Sequence, residues 1–177
     1  AVLLRMNRGY TLERYRRIIG ELRETVPDVA VTTDIIVGFP GESAADFEDT
    51  MKALAEFRFD GIFSFRYSPR EGTAACTMSD QVADEEKARR LIELQSLQRE
   101  ITEASNAEQV GRVLEVLVEG PSRRDPGAWK GRTRANRIVN FPAAGAIVAG
   151  DFVQVRITGA GFLSLEGRVT AGDLVAA

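Results

Sequence analysis

The stretch Val31-Thr32-Thr33-Asp34-Ile35-Ile36-Val37-Gly38-Phe39-Pro40-Gly41-Glu42 decides how the first half of the chain is read. Its first seven residues are rich in β-branched side chains and lie between Pro27 and Gly38, so they read as a strand. Apolar residues fall on both faces, the pattern of a strand buried in a parallel sheet. Gly38-Phe39-Pro40-Gly41 is then a turn. A turn at the C-terminal edge of a parallel sheet is where α/β proteins bind ligands, and Gly38 and Gly41 let the backbone approach a flat ring or a sugar. By its residues alone, the segment reads more readily as an ordinary strand–turn–helix connector.

Outward from this stretch the pattern is α/β. Upstream, Thr11 can cap a helix running to about Thr25, with Leu12, Tyr15, Ile18, Ile19 and Leu22 on its apolar face. Downstream, Ser43 and Asp46 have capping-box spacing and open a helix whose apolar face is Phe47, Met51, Leu54 and Phe57. A second strand covers Asp60 to Tyr67, and Ser68 to Thr73 form a loop. The order helix–strand–helix–strand is that of a parallel sheet. A long helix follows from about Asp84 to Asn106, striped by Leu91, Leu94, Leu97 and Ile101. Its acidic residues Asp84, Glu85, Glu86, Glu93 and Glu100 read as solvated surface.

At Gly111 the period changes from helical to two. Strands are expected over 112–118, 137–141, 151–157 and 162–169, with turns at Gly120-Pro121, at Pro142 to Gly145 and at Thr158 to Gly161. Short strands at regular turn spacing within about 70 residues point to a small β-barrel. The fold class is therefore α/β over residues 1–105, followed by a small all-β barrel over 106–177.

Charge divides in the same way. The 177 residues are 44% hydrophobic and 28% charged, a globular composition with net charge −3. Residues 1–105 carry 14 Lys/Arg against 19 Asp/Glu, and residues 106–177 carry 9 against 7. Between Pro121 and Asn140 lie Arg123, Arg124, Lys130, Arg132, Arg134 and Arg137 against the single acid Asp125. Within it the run Lys130 to Arg137, on a β-barrel, is suited to phosphate contact. Trp129 and Phe141 flank it and can stack on bases if exposed, and Asn136 can reach a base edge or a sugar hydroxyl. The bland alternatives are a solvated basic loop and a core Phe141.

One cysteine, Cys76, and no histidine exclude an internal disulfide, a multi-cysteine metal site and the Ser-His or Cys-His nucleophile systems from this chain. No apolar run approaches the roughly 20 residues that span a bilayer. Ala1-Val2-Leu3-Leu4 is too short for the apolar region of a signal peptide. The chain opens on Ala rather than Met, so it is read as a piece of a longer protein.

Four blocks together resemble one family. They are Leu4-Arg5-Met6-Asn7-Arg8-Gly9-Tyr10-Thr11, Asp34 to Glu42, Phe65-Arg66-Tyr67-Ser68-Pro69-Arg70-Glu71-Gly72-Thr73 and Gly131-Arg132-Thr133-Arg134-Ala135-Asn136-Arg137-Ile138-Val139-Asn140-Phe141. In order and spacing they resemble the radical S-adenosylmethionine (SAM) methylthiotransferases. The last block resembles the branch that acts on tRNA and carries an RNA-binding TRAM domain. The resemblance implies that residues 1–105 are the end of a partial TIM-type radical SAM barrel and that residues 106–177 are an OB-like TRAM barrel. It implies a cytoplasmic enzyme that uses SAM to methylthiolate isopentenyladenosine beside the anticodon of tRNA, with a sulfur donor the sequence does not identify.

The family also implies two 4Fe-4S clusters in the full-length protein. Their cysteines have no counterpart here, so this chain alone is expected to be inactive. The second block overlaps an adenine-side motif, Gly-x-Ile-x-Gly-x-x-Glu. Ile36 and Gly38 fit it, Asp34 replaces the first glycine and Glu42 falls one position late. The resemblance makes Ile36, Gly38 and Tyr67 the expected SAM neighbours, and Lys130, Arg132, Arg134, Asn136 and Arg137 the expected RNA contacts. It assigns no catalytic residue and no metal ligand to this chain. Two other functions stay open: a stand-alone RNA-binding module, and the relative that modifies an aspartate of a ribosomal protein.

Overall fold

The computed structural model describes residues 1–122, 125, 127–142 and 147–175. Arg123, Arg124 and most of the expected turn from Pro142 to Gly145 lie outside the described residues. The chain divides into two compact units, Ala1–Thr102 and Glu103–Ala177.

The first unit contains α1 (Val2–Arg5), α2 (Leu12–Thr25), β1 (Thr32–Val37), α3 (Ala44–Phe57), β2 (Gly61–Arg66), a 3-10 turn (Ala74–Thr77) and most of α4 (Asp84–Ala107). The caps read from sequence are present. The Thr11 hydroxyl accepts from Arg14 N–H, and Ser43 and Asp46 close a full capping box. Arg58 ends α3 in the left-handed region, φ 46°. Strands β1 and β2 pair in parallel, with Thr32 opposite Gly61 and Val37 opposite Arg66, so β1, α3 and β2 form a βαβ unit. One face of this pair packs into a core of Ile19, Val31, Val37, Phe47, Leu54, Phe57, Phe59, Leu94 and Ile101. Burying each large side chain there contributes about 1.5–3 kcal/mol.

The other face departs from the expected burial on both sides. Ile36, Phe63 and Phe65 remain 37%, 62% and 53% exposed. The reason is physical: a strand buried on both faces needs a second layer, and among the described residues nothing covers this one. Two parallel strands are also too few to define a barrel.

The second unit is a closed five-stranded barrel in the order β3-β4-β5-β7-β6. Its strands are β3 (Val113–Pro121), β4 (Ala128–Thr133), β5 (Ile138–Pro142), β6 (Phe152–Ala160) and β7 (Leu165–Val175). All neighbours are antiparallel except β5 and β7. Alternate residues fill the interior: Val116, Val118, Val139, Phe141, Val153, Val155, Ile157 and Leu165 are all at most 1% exposed. The closed five-strand barrel is consistent with the OB-like expectation. Strand β4 corrects the sequence reading, in which residues 128–133 fall outside the strands. Gly131, β-branched-poor flanks and a high cation content hide the alternation there. No helix among the described residues is long and apolar enough to cross a membrane.

Candidate cofactor-facing turn and nucleic-acid interface

The turn after β1 is built around a buried carboxylate. Gly38 and Gly41 adopt φ of 72° and 79°, conformations that favour glycine. The inward-pointing backbone N–H groups of Gly38 and Phe39 donate to Glu42 Oε2 at 2.6 and 3.2 Å. Arg90 on α4 donates from Nη1 to Glu42 Oε1 at 2.9 Å and to the Glu42 carbonyl at 3.0 Å. Both side chains of this ion pair are buried. Arg90 Nε continues to Glu86 at 2.7 Å. Hydrogen bonds from Arg89 and then Arg90 pull the Glu86 carboxyl down to about 2. Sequence reasoning misses this clasp, because Glu42 shows there only as a motif residue out of place. An acid directly after a glycine turn and four residues from its first glycine, with a helical arginine to match, is the signal that could have found it.

The three expected SAM neighbours do not share one place. Gly38 lies under Lys87: a Cβ built on Gly38 would stand 2.3 Å from Lys87 Cγ. The buried Lys87 reaches Asp84 at 3.0 Å and stands 5.6 Å from the Tyr67 ring centre. Tyr67 packs edge-on to Phe39 at 5.3 Å, and its buried hydroxyl has no hydrogen-bond partner. The structure therefore gathers Gly38 and Tyr67 around Lys87. Ile36 sits on the exposed face instead, opposite Phe65 in the β1–β2 register, with Asp34 opposite Phe63 beside it. Ile36 lines a cavity of about 320 Å³ together with Arg8, Tyr10, Tyr15, Asp34 and Thr50. That volume is at the lower end for a small-molecule pocket. Neither Gly38 nor Tyr67 lines it.

The chain's donors do not fit an iron–sulfur cluster. Cys76 is the single cysteine of the sequence and lies in the 3-10 turn. Among the described residues no group of three or more His, Cys, Asp or Glu is placed to hold a metal.

Lys130 and Arg132 lie on β4, and Arg134, Asn136 and Arg137 lie in the connection between β4 and β5. Lys130 and Arg132 project outward from β4, and both meet Glu119 of β3: Lys130 Nζ at 2.9 Å and Arg132 Nε at 2.7 Å. These hydrogen bonds, Lys130's first, hold the Glu119 carboxyl below its ordinary range. Arg134 Nε meets Glu115 at 2.8 Å but is itself 87% exposed. Asn136 occupies the left-handed region at φ 60°, where asparagine is tolerated, and its Oδ1 accepts from Arg132 at 3.0 Å. Arg137 turns the other way. It donates to Asn106 Oδ1 at 2.5 Å and to Ser105 Oγ at 2.9 Å, fastening the end of α4 to the barrel. Asn106 in turn donates to the Gly161 carbonyl at 2.8 Å. Of the two flanking aromatics, Phe141 is in the barrel core at 1% exposure, and Trp129 is half-buried against that core. Phe141 is thus no stacking platform: it alternates inward on β5.

Comparison with known proteins agrees with this layout. Residues 1–54 match the Radical SAM superfamily, and residues 107–170 match the TRAM domain. The chain is 46% identical over 171 residues to the tRNA-2-methylthio-N(6)-dimethylallyladenosine synthase of Moorella thermoacetica, covering 97% of this chain and 38% of the relative. It is 49% identical over 168 residues to the protein of the same name from Thermodesulfovibrio yellowstonii, covering 95% and 38%. With that of Symbiobacterium thermophilum it shares 42% identity over 177 residues, covering 100% and 37%. The chain thus spans well under half the length of these relatives, and the region matched is their C-terminal part. By its two domains and its relatives, the chain belongs to the radical SAM methylthiotransferase family.

Proposed function

We propose that this chain is the C-terminal part of a cytoplasmic enzyme that adds a methylthio group to C2 of an N6-dimethylallyladenosine beside the anticodon of tRNA. The observation that carries the reading is the joint one. A radical SAM segment and a TRAM domain occur in one chain, which aligns over at least 95% of its length with relatives bearing one name. The same name favours tRNA over a ribosomal-protein aspartate as substrate.

Within that reading, residues 1–102 end a partial radical SAM barrel. SAM, with the clusters held by other parts of the protein, supplies the radical and methylthio chemistry. The chain's own residues bind and orient. Ile36, exposed beside Phe65, offers apolar surface to the adenine ring. Glu42 and Arg90 hold the following turn in shape. Gly38 and Tyr67 act one layer behind, through Lys87. On the barrel, Lys130, Arg132, Arg134 and Asn136 face the tRNA backbone, and Arg137 bonds Ser105 and Asn106 within the same unit. Since this chain holds one cysteine, the sulfur and cluster chemistry falls to the rest of the enzyme, and the chain by itself is expected to be inactive.

The test is mass spectrometry of tRNA nucleosides from cells lacking the full-length gene. The 2-methylthio nucleoside should disappear and its precursor accumulate. An unchanged nucleoside profile refutes the assignment, and favours the stand-alone RNA-binding reading that the single cysteine would allow.

A further inference from the structure

We propose that the outer face of β6, β3 and β4 is a site for one unpaired nucleotide of RNA, its phosphate between Lys130 and Arg132 and its base over Leu117 and Phe152. This rests on the RNA-binding reading above and narrows it to single-stranded RNA.

The barrel's register places these side chains in one row. Phe152 of β6 pairs with Leu117 of β3, and Leu117 pairs with Arg132 of β4. All three point outward, between the inward residues Val116, Val118, Gly131 and Val153. Phe152 is 43% exposed and Leu117 39%, so an aromatic ring and a branched chain stand at the surface beside a guanidinium. Two strand spacings separate Phe152 from Arg132, about 10 Å at the backbone. That is within reach of one extended nucleotide once both side chains lean toward it.

The phosphate position is marked by Glu119. Strand β3 shifts register between Val118 and Gly120, leaving Glu119 as the extra residue of a bulge. Bulges re-aim a side chain, and this one lays a carboxylate across two cations, one on each oxygen. A backbone phosphodiester presents paired oxygens that share one negative charge, as a carboxylate does, and makes the same demand for N–H donors. Glu119 therefore occupies an anion subsite that RNA takes over, and the adjoining apolar row receives the base. A base within a duplex has no free face to offer such a row, whereas an unpaired base does.

The experiment uses the full 177-residue chain and two labelled RNAs of equal composition, one single-stranded and one a closed hairpin, followed by fluorescence anisotropy. Glu119→Gln should tighten both, by about 3- to 10-fold, because the competing charge is gone. Phe152→Ala should weaken the single strand by roughly 10-fold while the hairpin moves by less than about twofold, and Phe152→Tyr should restore binding. Emission from Trp129 confirms that each variant keeps the barrel. Binding that depends on Arg132 but is indifferent to both Glu119→Gln and Phe152→Ala overturns the nucleotide site and leaves the RNA reading standing. Equal losses of both RNAs in Phe152→Ala also overturn it. Failure of the wild-type chain to bind either RNA overturns both readings.

Discussion

The β1–β2 pair and the five-stranded barrel are made from similar residues and treat them differently. Both are rich in Val, Ile and Phe. In the barrel, Val116, Val139, Val153 and Val155 are sealed at no more than 1% exposure, because alternate residues point into a sheet closed on itself. In the parallel pair, Ile36, Phe63 and Phe65 lie open, because one sheet face has no second layer among the described residues. What holds the open pair in shape at its C-terminal end is polar: the Glu42–Arg90 clasp and the backbone groups it satisfies. Strand composition therefore announces apolar side chains, and closure decides whether they become core or stay exposed.

This contrast can be broken, since each unit has its own reporter. Trp129, the sole tryptophan, lies in the barrel, while most of the helix lies in the first unit. The largest effect is expected from Glu42→Ala. It takes from the buried Arg90 guanidinium its one buried carboxylate, leaving it Glu86 and the backbone carbonyl of residue 42, and orphans two N–H groups, a loss of up to about 3–5 kcal/mol. Helical circular dichroism should show that loss in a urea titration while the Trp129 transition stays put. A matching shift in Trp129 would mean that the units unfold as one, and the comparison would fail.

Gly131→Ala should do the opposite. Its Cβ would stand 2.4 Å from Val116 Cγ1 and 2.5 Å from the Leu117 carbonyl, so β3 and β4 must part. Overpacking of this kind costs about 1–3 kcal/mol. The Trp129 midpoint should fall, and the helical signal of the first unit should not.

The smallest effect concerns acid. The folded Glu86 carboxyl sits at about 2, below its ordinary 4.5, because Arg89 and Arg90 hydrogen-bond its charged form. A group depressed by folding stabilises above its unfolded value and loses that contribution as pH falls toward the folded one. Helical stability should therefore drop between pH 4.5 and 2, and Glu86→Gln should flatten that drop without altering the Trp129 curve. An unchanged acid profile in the variant would show that the surface pairs with Arg89 and Arg90 contribute nothing measurable, as many exposed ion pairs do.

Local features are legible in the amino-acid sequence by itself. Thr11 and the Ser43–Asp46 pair announce helix starts, because caps depend on residues three or four apart. The end of the long helix ahead of Gly111, the β-branched run of β1 and the alternation in β3 and β6 are equally local, and four short blocks suffice for the family. The interactions that give residues their roles are long-range. Glu42 finds Arg90 48 positions away, Arg137 finds Asn106 31 positions away and Arg132 finds Glu119 across a strand pair. A sequence scan sees Lys130, Arg132 and Arg137 as equal charges in a row. The barrel makes two of them a cradle around one carboxylate and the third a bolt on a helix. Phe141 and Phe152 are indistinguishable as letters on strands. Pleat and closure send the first into the core and leave the second on the surface, since a strand's side chains alternate and only the partner strands decide which side is inside.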